Sequence, residues 1–112
     1  MNGQELATAA QYGCDLLVIL VDNGSYGTIR MHQEREYPKR ISATELSNPD
    51  FAALARAYGG WAATVEKTED FEPALDEALK LKGIRLIHCK TDVEEISNAT
   101  TISKIRGKSK KA

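Results

Sequence analysis

The longest apolar run of the chain occupies residues 16–21 and reads Leu-Leu-Val-Ile-Leu-Val. A continuous run of this kind is typical of a buried strand in a parallel sheet, and it predicts a strand over residues 15–21. A polar, glycine-containing segment, residues 22–27, follows directly. We expect this segment to be the loop at the carboxyl end of the strand, where open α/β sheets bind their ligands.

Helical patterns and shorter strands alternate along the rest of the chain. Asn48 and Pro49 fit an N-cap followed by proline at the first helical position. The alternation implies right-handed crossovers, so the predicted fold class is α/β with a parallel sheet. The predicted helices cover residues 4–12, 28–35, 49–58 and 68 to about 82, and the two further strands cover residues 61–65 and 84–89.

Composition limits the class of protein. The 112 residues carry a formal net charge of -1, which allows one small domain and gives no general drive toward nucleic acid or membranes. No apolar run is long enough to span a bilayer, and the N-terminus lacks a secretory signal pattern. Cys14 and Cys89 lack metal-ligand spacing. We therefore expect a reduced, cytoplasmic protein.

The last residues are basic, with five lysine or arginine side chains between Lys104 and Lys111. This segment is interpreted as a solvated terminus rather than an anion-binding patch, because no aromatic residue lies among the basic ones. The predicted organisation is a domain over residues 1–98 followed by a disordered basic tail over residues 99–112.

A family resemblance begins around the first strand. Segment 2–9, the apolar run and the loop 22–30 together resemble the second half of the thiamine diphosphate motif of the acetolactate synthase and benzoylformate decarboxylase family. The resemblance continues through residues 48–55 and 58–60 to the strand near Cys89. It implies a partial three-layer α/β/α domain, the C-terminal thiamine diphosphate domain, whose strands lie in the order first, third, second.

The resemblance also implies that the chain is truncated at its N-terminus. The family's Gly-Asp-Gly, whose aspartate is a Mg2+ ligand, is expected just before Met1, and the chain contains no such tripeptide. The family's catalytic glutamate belongs to another domain, normally in a partner subunit. The implied partners are therefore the missing N-terminal part or a second subunit, with a homo-oligomer as the assembly. The first strand would keep an unpaired apolar edge.

The resemblance assigns the cofactor site to the loop after the first strand. It implies that Mg2+ binds the side-chain oxygen of Asn23 and the backbone carbonyl of Ser25. From the residues alone, Asn before Gly more commonly forms an Asx-turn, and the loop tyrosine could pack on the third helix; both alternatives stay open. The residues implied to surround the diphosphate, at and before a helix N-terminus, are Gly24, Tyr26, Gly27 and Thr28.

Two residues of the following helix are candidates to face the substrate. In the family, the position of Ile29 directs a side chain toward the reacting carbon. Acetolactate synthases carry tryptophan at the position held here by His32, which implies an altered acceptor pocket. His88 lies inside the third strand and is interpreted as a packed or interface histidine rather than a ligand. No residue of this chain is expected to be catalytic.

Two functions follow as alternatives. The first is a C-terminal part of a thiamine diphosphate enzyme that acts on 2-oxo acids, by decarboxylation, carboligation or both, and that anchors Mg2+ and diphosphate. The second is a non-catalytic α/β module or gene remnant, inactive alone and self-associating. For the isolated chain, the sequence predicts no saturable binding of the cofactor at micromolar concentration.

Overall fold

The computed structural model describes residues 2–108. Its main sheet has three parallel strands, β1 (Leu16–Asp22), β2 (Trp61–Val65) and β3 (Ile84–Lys90), in the order β1-β3-β2. Both the α/β class and the strand order are confirmed. The remaining elements are α1 (Glu5–Gln11), α2 (Gly27–Glu36), α3 (Phe51–Ala57), α4 (Thr68–Leu79), a hairpin of β4 (Glu95–Ser97) and β5 (Thr100–Thr101), and α5 (Ile102–Lys108).

The contacts divide the described chain into two compact units. The first unit contains residues 2–22 and 48–90, and the second contains residues 23–47 and 91–108. This division differs from the predicted domain of residues 1–98, because the segment that follows β1 is grouped with the C-terminal segment.

Helices cover both faces of the sheet in the first unit. On one face, α1 and α3 contribute small side chains that lie against Ile84 and Leu86 of β3. On the other face, α4 packs its alanines and Phe71 against Ile87 and Val65. The central strand β3 is therefore the most buried element of the unit, and the three layers agree with the predicted architecture.

β1 is an edge strand. Within the described residues it pairs with β3 alone, and Ile19 and Val21 are 47% and 69% exposed. The unpaired edge expected from the sequence is thus present, whereas the burial that the continuous apolar run predicted is only partial. The run has the composition that is typical of a central strand, but in this chain it forms the edge of the sheet.

Several element ends differ from those predicted. The strand β1 continues through Asp22, and α4 ends at Leu79 rather than near residue 82. The N-cap of α3 is Asp50, whose carboxylate accepts a hydrogen bond from the Ala53 N–H at 3.1 Å. Asn48 was the expected cap, but its amide instead donates to Asp22 Oδ1 at 2.8 Å. A long-range contact has displaced a local one.

The C-terminal segment of the second unit is structured up to Lys108, where the sequence indicated a disordered tail. Ile102 and Ile105 of α5 are both buried, and the Glu94 carboxylate accepts hydrogen bonds from the N–H and hydroxyl of Ser103. Two isoleucines one turn apart form an apolar stripe that the surrounding basic residues obscured. Residues 109–112 of the predicted tail lie outside the described residues. No described helix is long and apolar enough to cross a membrane.

Candidate metal and diphosphate site

The segment after β1 starts with a tight side-chain turn. The Ser25 N–H donates to Asn23 Oδ1 at 3.0 Å, which is the Asx-turn that the residues alone favoured. An amide oxygen has two lone pairs, so Asn23 Oδ1 keeps one for a metal ion. The turn places the side-chain oxygen of Asn23 and the backbone of Ser25 within one short loop.

A second stretch of the same unit fixes this loop from the other side. Tyr26 N–H donates to the Thr44 carbonyl at 2.8 Å, and Leu46 N–H donates to the Gly24 carbonyl at 2.9 Å. These bonds form an antiparallel bridge at Ser25. The Ser25 hydroxyl also donates to the Thr44 carbonyl at 2.9 Å. Among the described residues, no donor is bonded to the Ser25 carbonyl oxygen, which is the atom implied as a metal ligand.

Two glycines give this loop its shape. Gly24 has a φ of 65°, a left-handed conformation that suits glycine. At Gly27, a Cβ atom would lie 2.7 Å from Asn23 Nδ2. The absent side chain of Gly27 is therefore what allows the Asn23 amide to lie against the start of α2.

The N-terminus of α2 is open. No side chain of a described residue caps this helix, and the Arg30 N–H donates to the Tyr26 carbonyl at 2.9 Å, the first backbone hydrogen bond of the helix among the described residues. The N–H groups of the first turn of a ten-residue helix are thus available to an anion. The side chains expected to face a cofactor or substrate here are all exposed, namely Tyr26, Thr28, Ile29 and His32.

The body of α2 is anchored by an ion pair between buried Glu34 and half-buried Arg106, which the sequence pattern did not indicate. Glu34 is 0% exposed, and its carboxylate accepts hydrogen bonds from Arg106 Nε at 2.6 Å and Nη2 at 2.5 Å. The Lys39 N–H donates to the same carboxylate at 2.9 Å. The Arg106 hydrogen bonds, against the cost of burial, lower the pKa of Glu34 to about 2. Since 72 positions separate Glu34 and Arg106, no local spacing could reveal the pair.

The candidate loop itself, residues 23–28, contains no carboxylate side chain. Within residues 2–108, no group of three or more histidine, cysteine, aspartate or glutamate side chains lies close enough together to hold a metal ion. The oxygen atoms that the loop offers are those of an amide and a backbone carbonyl. Mg2+ usually completes such a set with a carboxylate, phosphate oxygens and water.

Comparison with known proteins shows the family. A family model described as "Thiamine pyrophosphate enzyme, C-terminal TPP binding domain" matches residues 1–89. The chain belongs to this family. The resemblance first seen in the loop after β1 is thereby confirmed.

Relatives of this thiamine pyrophosphate-binding domain include acetolactate synthases. The chain is 38% identical over 97 residues to the acetolactate synthase of Arthrospira platensis, covering 85% of this chain and 17% of that protein. It is 35% identical over 99 residues to the large subunit of acetolactate synthase isozyme 2 of Escherichia coli, covering 88% and 18%. The chain thus spans less than a fifth of the length of these relatives.

A solved structure shares the fold. The thiamine diphosphate-dependent 4-hydroxybenzoylformate decarboxylase of Rhodococcus jostii RHA1 superposes with a TM-score of 0.70 at 30% sequence identity, covering 80% of this chain and 17% of that one. The synthase and decarboxylase branches named by the sequence resemblance are therefore both represented among the relatives.

Proposed function

We propose that this domain holds the Mg2+ ion and the diphosphate of thiamine diphosphate in an enzyme that acts on 2-oxo acids. The observation that carries the proposal is the loop after β1, where Asn23 Oδ1 and the open carbonyl oxygen of Ser25 belong to one turn that is held by hydrogen bonds to the Thr44 carbonyl. Family membership supports the choice of cofactor. The proposed metal ligands are those two oxygen atoms.

The donor set fits the diphosphate as well as the metal ion. The open first turn of α2 supplies backbone N–H groups for an anion, and Gly24 and Gly27 leave room for close approach of the backbone. Tyr26 and Thr28 flank these groups. Thiamine diphosphate supplies the carbon nucleophile and electron sink when it is bound, and this chain's residues bind and orient it.

The test uses Mn2+ in place of Mg2+, with thiamine diphosphate, and backbone NMR signals of the 112-residue chain. Paramagnetic broadening reports weak binding, which matters because residues 23–28 contain no carboxylate and we expect calorimetry of this chain to show no micromolar Kd. We expect broadening centred on residues 23–28. Asn23→Ala should remove it, and Asn98→Ala, a matched change in the exposed β4–β5 turn, should not.

Three outcomes would contradict the proposal. The first is no broadening at residues 23–28 in wild type, the second is broadening centred outside the loop, and the third is broadening that survives Asn23→Ala. A micromolar Kd for thiamine diphosphate that Asn23→Ala abolishes would support the site while showing that the expected weakness is wrong.

The proposal extends to the acceptor pocket through the exposed pair Ile29 and His32, which lie one turn apart on α2. A histidine fills less apolar volume than tryptophan and can ionise. We expect an enzyme carrying His32 to form acetolactate from pyruvate poorly and His32→Trp to improve it. Assay of pyruvate condensation in a full-length enzyme tests this, and efficient acetolactate formation with His32 would contradict it.

Self-association is a second candidate function, favoured by the exposed edge of β1. An unpaired strand with apolar side chains offers backbone donors and acceptors to another copy. We expect light scattering to show a dimer or larger species at high concentration. Val21→Lys should reduce this association, and Leu79→Lys, at an exposed position of α4, should not. A monodisperse monomer at high concentration would contradict this candidate.

A further inference from the structure

Three polar side chains meet at the carboxyl end of the sheet in the first unit. Asp22 ends β1, His88 lies in β3, and Asn48 precedes α3. His88 Nε2 is 2.8 Å from Asp22 Oδ2, and Asn48 Nδ2 donates to Asp22 Oδ1 at 2.8 Å. Both oxygen atoms of the Asp22 carboxylate therefore accept a hydrogen bond, and this side chain is only 10% exposed.

The sheet and α3 hold His88 in place. His88 is 1% exposed, and the Phe51 ring meets its imidazole edge-on with 5.2 Å between the ring centroids. Its Nδ1 atom is buried without a hydrogen-bond partner among the described residues. An unpaired buried N–H donor is costly, so the pattern fits the tautomer with its proton on Nε2, donated to Asp22. Asp22 is thus anchored to the most buried strand.

The chain positions of the two partners of this contact are informative. Asp22 and Asn48 are the residues at which the chain leaves and re-enters the first unit. The segment between them, residues 23–47, carries every candidate metal and diphosphate ligand. Its two arms pair through Gly24 with Leu46 and through Tyr26 with Thr44. Asp22 and Asn48 lie two positions outside Gly24 and Leu46 along the chain, and their contact is a hydrogen bond between side chains.

We propose that Asp22, His88 and Asn48 form a clasp that closes the base of segment 23–47 and thereby positions Asn23 and Ser25. Joining the two ends of a 25-residue segment reduces the conformations that its arms can adopt. Asn23 follows Asp22 directly in the chain, so the Asx-turn begins next to an anchored residue. The three clasp residues are positioning residues. The effect on metal binding rests on the proposed function, whereas closure of the segment does not.

The test measures amide hydrogen exchange by NMR in the full 112-residue chain. Asn48→Asp places a second carboxylate beside Asp22, and we expect the exchange of the Tyr26 and Leu46 amides to rise about tenfold. The double variant Asp22→Asn/Asn48→Asp swaps the two side chains and so restores one donor and one carboxylate. It should return both exchange rates to within about threefold of wild type. Asn98→Asp, in the exposed β4–β5 turn, is the matched control and should leave both rates unchanged.

Unchanged exchange in Asn48→Asp would overturn the clasp, and so would faster exchange that the double variant fails to reverse. Protection of the Ile87 amide in β3 checks that each variant is folded. If Asn48→Asp unfolds the chain, Asn48→Ala takes its place, with an expected rise of about threefold; no rise would overturn the clasp.

The Mn2+ experiment separates this inference from the proposed function. If wild type shows no broadening at residues 23–28, the proposed function fails, and the exchange rates of Tyr26 and Leu46 still decide whether the clasp exists. If wild type shows broadening, Asn48→Asp should weaken it and the double variant should restore it. Broadening equal in all three proteins would overturn the positioning role.

Discussion

The two units of this chain differ in the kinds of side chain that they bury. The first unit is built on a parallel sheet covered by helices, and its fully buried side chains include Ile87 of β3, Ala55 of α3 and Ala78 of α4. The second unit buries only short apolar stretches, and its most buried side chains include Glu34, whose carboxylate is held by Arg106. Apolar packing dominates the first unit, whereas the second unit combines two buried isoleucines, Ile102 and Ile105, with a specific polar pair.

This difference predicts two kinds of sensitivity to mutation. Apolar packing loses stability in proportion to the volume removed, and neighbouring side chains relax partly into the space. A buried ion pair fails abruptly, because loss of one partner leaves the other charge buried and uncompensated. The candidate cofactor ligands lie in the second unit, so the geometry of these ligands depends on a few hydrogen bonds rather than on a large core. Substitutions in each unit test this contrast.

The largest effect is expected in the sheet core. Ile87→Ala removes a side chain that is fully buried in β3, and should lower the free energy of unfolding by about 4 kcal/mol. Urea unfolding followed by circular dichroism measures it. Ile19→Ala, the same change on the exposed edge strand, is the control and should cost less than about 1 kcal/mol. Equal losses in the two variants would show that β3 is not the centre of the core.

The second prediction concerns the ion pair. Arg106→Met leaves the Glu34 carboxylate buried without its partner and should destabilise the second unit by about 3 kcal/mol. Hydrogen exchange of the α2 amides should rise about a hundredfold, with β3 amides much less affected. Lys104→Met, on the same helix, is the control, and Glu34→Gln/Arg106→Met should recover part of the loss. Little change in Arg106→Met would mean that the pair contributes no stability.

The pH dependence of the second unit follows from the same pair. The pKa of Glu34 is lowered from 4.5 to about 2 in the folded chain, so its stabilisation is present above pH 4.5 and is lost as the pH falls toward 2. Between about pH 6 and about pH 3 the loss should be about 2 kcal/mol. Hydrogen exchange of α2 at several pH values, corrected for intrinsic rates, measures it. Glu34→Gln should flatten the dependence and Glu36→Gln, on the same helix, should not.

The smallest effect concerns the candidate site itself. Gly27→Ala would bring a Cβ atom to 2.7 Å from Asn23 Nδ2, and the asparagine side chain would have to rotate, at a cost of about 1 kcal/mol. The Ser25 amide signal should shift as its bond to Asn23 is lost. Gly107→Ala is the control, because nothing lies within 4 Å of its added Cβ. An unchanged Ser25 amide in Gly27→Ala would contradict this packing.

Local patterns in the sequence were sufficient for much of the first unit. The limits of β1 and β2 were predicted closely, and so was the end of the helix at the glycines before β2. Hydrophobic periodicity and turn residues act over a few positions, so local sequence is sufficient for them. The position of the candidate loop, directly after β1, followed from the same pattern. The sheet order and the roles of Asn23 and Ser25 came from the family resemblance; the order is confirmed, and the roles stay a prediction.

What only the tertiary structure decided are contacts between distant positions. Asp22 meets His88 across 66 positions and Asn48 across 26, and Glu34 meets Arg106 across 72. These contacts moved the cap of α3 from Asn48 to Asp50 and helped to order the segment that ends in α5. Charged and amide side chains form such pairs only where the fold brings them together, and the same residues read locally as caps or solvated charges.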